Sequence, residues 1–166
     1  METEFVLAAA LAILSGALAV TRLNAVHALL YLIVALLALA MCFALLGAPF
    51  AAALQVIIYA GAITVLFVFV VMMLNLGPGT VHHEQTWLGP GRWRGPAVLA
   101  LLLFLEAVYV VMHGSTGTGP AHVSAKAVGA ALFGPYLVIV ELASLLLLAG
   151  LVAVWHVGRG GIGESR

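Results

Sequence analysis

The chain has very little charge. Only 7% of its 166 residues are Asp, Glu, Lys or Arg, where a soluble domain carries roughly 25% to coat its surface. A water-soluble globule is thereby excluded. Lys+Arg and Asp+Glu stand at six each, so there is neither a basic face for nucleic acid nor an acidic tail. Cysteine is scarce as well. The single Cys42 lies inside an apolar run, which rules out an internal disulfide and any multi-cysteine zinc or iron–sulfur site built by this chain alone. A cleavable export signal is also lacking: the apolar stretch ending in Ala17-Leu18-Ala19 is led by acidic Glu2 and Glu4, where such a signal needs positive charge. The segment reads as a retained first helix.

What the chain has is hydrocarbon. Sixty-five per cent of its residues are hydrophobic and the mean hydropathy is +1.25. A bilayer core takes about 20 apolar residues per helix. Hydropathy and breakers divide the chain into five spans, about 5–21, 25–46, 51–76, 96–112 and 135–157, so the expected fold is an all-α integral membrane protein of one membrane domain, 1–166. Arg22 and Asn24 part the first two spans, Gly47-Ala48-Pro49 turns the chain into the third, and Gly77-Pro78-Gly79 stops it. Pro135 suits a first helical turn. A polar loop follows at 77–95, and after the Gly/Thr/Ser-rich 113–119 the run VSAKAVGAALFG is expected to form a short helix. No internal repeat of about 20 to 50 residues is visible, which leaves an inverted-repeat transporter without support.

With five spans the termini face opposite sides. Arg22, Arg92, Arg94, Arg159 and Arg166 fall on one side and only Lys126 on the other. The positive-inside rule then makes the C-terminus and the 77–95 loop cytoplasmic and the N-terminus external.

Few residues in the spans can carry chemistry. Glu106 and Glu141 lie in the fourth and fifth spans, where a bare charge costs at least about 2.5 kcal/mol at mid-bilayer. Tyr109 and Ser144 stand three residues beyond them on the same faces, so each acid has a candidate polar neighbour, and the plain alternative is a hydrogen bond to an adjoining helix. In the third span Gln55, Tyr59, Ala62 and Leu66 follow helical spacing and are expected to share a face. Gly61 weakens the helix near the centre of that span, where lipid offers no replacement hydrogen bonds. The small residues Ala60, Gly61, Ala62 and Thr64 have close helix packing as their commonest meaning. His27 and Tyr31 open the second span as interfacial residues, and Trp87 and Trp93 are interface anchors. His82, His83 and Glu84 lack a further ligand at metal-site spacing. The glycine-rich GPGT, GPGR and GSTGTGP lack the Lys-Ser/Thr ending of a phosphate loop and read as turns.

Three segments carry a resemblance that single residues do not: NAVHALLYLIVALLALA at 24–40, GAPFAAALQVIIYAGAITVLFVFVVMMLNLG at 47–77 and SAKAVGAALFGPYLVIVELASLLLLAGLVAVWHVGR at 124–159. Together they closely resemble the J-subunit family of bacterial proton-pumping NADH:quinone oxidoreductase, respiratory complex I. The resemblance implies a multi-pass subunit of the bacterial inner membrane that has no active site of its own. It implies that NADH, FMN, iron–sulfur clusters and quinone are bound by other subunits, and that the neighbours are membrane subunits of the A, H, K and N types. It also implies a π-bulge in the third helix around Tyr59 to Val65, whose loss and return gate a water path, with Gln55, Tyr59, Gly61, Val65 and Met72 as the coupling residues. A π-bulge needs one break in the i to i−4 ladder, and Gly61 eases it. Some members of that family resembling this chain carry Glu at the position of Gln55, and a glutamine cannot titrate. Glu141 lies in VELAS, which matches the family pattern. Without the resemblance, the residues also allow a small proton-coupled exporter using Glu106 or Glu141, or a bundle that only fills space between other subunits.

Overall fold

A computed structural model describes residues 2–74, 93–113 and 123–160. Among them five helices are long and apolar enough to cross a membrane. Contacts sort the chain into two compact units, Met1–Val123 and Ser124–Arg166, each taken by itself. The expected loop at 77–95, with His82, His83, Glu84 and Trp87, lies outside the described residues up to position 92, as do positions 114–122.

In the first unit, α1 covers Glu2–Thr21 and α2 covers Ala25–Leu45. Helix α1 starts ahead of the expected Phe5 with Glu2 and Glu4 in its first turn, where carboxylates meet the positive end of the helix dipole. Asn24 begins α2 as an N-cap, its side chain accepting from the amides of Val26 at 2.9 Å and His27 at 3.2 Å. The far end of α2 closes on Gly47 at φ 79°, a left-handed conformation that glycine adopts without a Cβ penalty. The amide of Gly47 bonds the Ala44 carbonyl at 3.1 Å and that of Ala48 bonds Phe43 at 3.0 Å, the paired bonds of a Schellman stop. Pro49 then opens α3, where its missing N–H costs nothing. Helix α3 runs as α-helix over Pro49–Leu54, as π-helix over Gln55–Ile63 and as α-helix again over Thr64–Leu74. Helix α4 covers Arg94–Met112.

Lipid tails are as apolar as leucine, so these helices gain from close packing rather than from leaving lipid. Helix α2 is the hub, packed most extensively on α1 and also touching α3 and α4. Its buried stripe of His27, Tyr31, Val34, Ala38 and Cys42 steps by three or four residues, as one helix face must. Ala8, Leu11 and Ser15 answer from α1. The core gathers Leu11, Val34, Ala38 and Leu103, and Ala8 and Ala38 are wholly buried, which lets the backbones approach.

In the second unit Ser124 caps α5, Ala125–Leu132, by accepting from the Ala127 amide at 3.2 Å. This is the short helix expected after the 113–119 segment. Helix α6 covers Leu137–Gly160. It starts two residues after Pro135 because the chain is still turning there, with the Tyr136 amide reaching back to the Ala131 carbonyl at 3.1 Å. None of its spanning stretch is buried.

Candidate functional site

The middle of α3 is where sequence and geometry converge. Over Gln55–Ile63 the hydrogen bonds run i to i−5 in place of i−4, so a turn takes about four and a half residues. Positions nine apart return to one face. Gln55 is accordingly 8% exposed and Thr64 1%; the Tyr59 side chain is 51% exposed. The buried pair lies on the side packed against α2, which contacts all three parts of α3. The expected face of Gln55, Tyr59, Ala62 and Leu66 is not continuous: at π winding Ala62, seven on from Gln55, turns to the far side and is exposed, as Leu66 is.

Thr64 closes the π segment. Its hydroxyl donates to the Tyr59 carbonyl at 2.7 Å, and its amide reaches the Tyr59 and Gly61 carbonyls. The Tyr59 oxygen thus takes two donors from one residue. Sequence reasoning placed Thr64 only among small packing residues, and its one available signal was a hydroxyl five positions after a tyrosine beside a glycine. Gly61 contributes space: a Cβ there would stand 3.2 Å from the Val56 carbonyl oxygen, five residues back. Val65 and Met72, seven apart, lie exposed on the α-helical half.

Thr64→Val keeps the side-chain shape and deletes the hydroxyl. A hydrogen bond of this kind is worth about 1 kcal/mol net, so the π-wound fraction should fall about fivefold relative to α-wound helix. The distance between spin labels at Leu54 and Met73 reads that fraction, and an unshifted distribution would show that the hydroxyl does not hold the winding.

The acids behave differently from each other. Glu106 is 5% exposed, beside the Ala8 backbone, with Glu4 and Cys42 within electrostatic reach. Neither of its carboxyl oxygens has a hydrogen-bond partner among the described residues. Tyr109 is turned away and stacks on His113 with ring centroids 4.1 Å apart. Glu141 is exposed in its unit, and Ser144 donates at 2.8 Å to its backbone carbonyl, not to its carboxylate. At the opposite end of the first unit His27 is buried against the edge of Trp93, and Arg22 lies 5.4 Å over the Tyr31 ring. A hollow of about 500 Å³ between α2, α3 and α4 is lined by apolar side chains such as Met41, Val56 and Phe104. It offers nothing to orient a polar substrate.

The family model described as NADH-ubiquinone/plastoquinone oxidoreductase chain 6 matches residues 15–157. An NADH-quinone oxidoreductase subunit J from Pseudomonas aeruginosa is 58% identical over 161 residues, covering 96% of this chain and 97% of the relative. The chain belongs to the subunit J family of NADH-quinone oxidoreductase. The subunit J of Escherichia coli K12 is 53% identical over 96% of this chain and 87% of its own length. That of Buchnera aphidicola from Schizaphis graminum is 48% identical over 96% and 98%. Bacterial subunit J relatives and five apolar helices fit a multi-pass protein of the inner membrane. The resemblance noted along 24–40, 47–77 and 124–159 thus holds at family level.

Proposed function

We propose that the chain is a structural and gating subunit in the membrane arm of proton-pumping NADH:quinone oxidoreductase, coupling quinone reduction elsewhere to proton movement through a change in the winding of α3. The observation that carries this reading is the π-helical Gln55–Ile63 segment inside a spanning helix. A π-wound stretch is one hydrogen-bond register away from α-helix, so it supplies the two-state element that coupling requires. Gly61 keeps the barrier low, Tyr59 and Thr64 hold the π register, Gln55 orders water on the α2 side, and Val65 and Met72 ride on the half that moves. Gln55 cannot carry a proton itself. Glu141 serves as a polar contact toward another subunit, since its carboxylate is exposed.

The reaction belongs to the assembly. NADH, FMN, iron–sulfur clusters and quinone are held by other subunits, and this chain, a single membrane domain without an active site, contacts subunits of the A, H, K and N types. Arginines outnumber lysine five to one across the two sides, which supports an external N-terminus and a cytoplasmic C-terminus. The test is gentle solubilisation followed by native electrophoresis and mass spectrometry. The expected result is comigration with NADH dehydrogenase activity in a large complex. A stable small homo-oligomer free of that activity would overturn the reading and favour an independent exporter.

A further inference from the structure

We infer that Glu106 is a proton-binding site of this chain, exchanging its proton with Glu4 toward the end of the bundle that carries the N-terminus. The inference rests on the reading of the chain as part of a proton pump. Glu106 lies in α4 six residues before Met112, and Ala8 lies in α1 six residues after Glu2. At about 1.5 Å of rise per residue the two meet about 9 Å inside that end. Glu4 is one turn nearer the end on the same helix as Ala8, half-buried, with Glu2 exposed beyond it. The carboxyls therefore step from a buried position to the helix ends.

The burial is the physical reason. Among the described residues both oxygens of Glu106 are shut off from solvent and lack hydrogen-bond partners, and they are enclosed by this chain's own helices. An ionised carboxylate so placed, with no cation beside it among the described residues, is strongly disfavoured, and a bound proton removes that penalty. The groups that face it are few. From α1 comes Glu4, from α2 comes Cys42, and no lysine or arginine lies in the stretches of α1, α2 or α4 around it. Glu4 has the chain's amino group as its own counter-charge, so of the two carboxyls Glu106 is the one that carries the proton. Release needs a path to Glu4, which α1 places one turn from Ala8.

The experiment uses the intact complex in membrane vesicles. Glu106→Gln keeps size and polarity but cannot titrate. Protons delivered per NADH oxidised should fall measurably, while NADH oxidation in uncoupled vesicles stays within about twofold of wild type. Reaction-induced infrared difference spectra should lose a deuterium-sensitive carboxylic C=O band. A purely structural acid would be replaced by glutamine without effect, so an unchanged proton ratio together with an unchanged infrared spectrum overturns the proposal. If the glutamine variant does not assemble, Glu106→Asp decides: a displaced pH profile of pumping supports the site, and a superimposable profile overturns it. The outcome is separable from that for the subunit's place in the pump, because comigration with NADH dehydrogenase activity is read from the wild-type complex.

Discussion

Gly61→Leu is expected to lower quinone-linked turnover and proton pumping about tenfold while the complex still assembles. A Cβ at this position already meets the Val56 carbonyl at 3.2 Å, and that oxygen belongs to the backbone of the π segment, so it cannot swing aside as a side chain would. Forcing extra methylenes into such a fit costs about 1–3 kcal/mol, and each 1.4 kcal/mol shifts a two-state equilibrium about tenfold. The penalty falls on the π-wound state, because only that winding brings residue 56 beneath residue 61. Gly61→Ala, whose methyl needs the carbonyl to yield by only a few tenths of an ångström, should act in the same direction with a smaller effect. Full turnover and full pumping by an assembled Gly61→Leu complex would falsify the gating role.

Ala38→Leu is expected to act earlier, on the chain's accumulation in the membrane. Ala38 is fully buried at the seam where Leu11, Val34 and Leu103 converge from three helices, so a larger side chain must push these neighbours apart. Overpacking of about 1–3 kcal/mol is a large share of what holds a helical bundle together in lipid, where no hydrophobic gain offsets it. Immunoblots of membranes should show several-fold less chain, and native gels correspondingly less complex. Ala38→Gly, which adds no bulk, should stay near wild type, and equal loss in both variants would show that helix propensity, not packing, governs the seam.

The five spans were legible because bilayer thickness and helix rise leave little freedom in length. Turns were legible where a residue has one dominant use: Gly47 at a left-handed stop, Pro49 in a first turn. The phase of side chains along α3 was not legible. A period of 3.6 was carried through Gln55 to Leu66, and nine residues of π-helix turned Ala62 and Leu66 away from Gln55 and brought Thr64 onto its face. The resemblance to the family raised a break in this stretch, yet nothing in the composition of QVIIYAGAI states which hydroxyl closes it. Glu106 was legible as an acid in a span. Its orphaned carboxyl was not, because the nearest polar residue on its own helix, Tyr109, turns instead to His113.

The stop at Gly47 has a mechanical consequence. Its carbonyl accepts the Val123 amide at 3.0 Å, so the corner between α2 and α3 is tethered to a distant part of the chain. One end of α3 is thereby pinned like a shaft in a bearing. Deleting one residue's worth of π winding advances a helix by about 1.5 Å and turns it through about one residue's angle. If coupling works through that winding, as proposed, then with Pro49–Leu54 held the screw motion would be delivered to Thr64–Leu74, and the distal half would be the output end of the shaft.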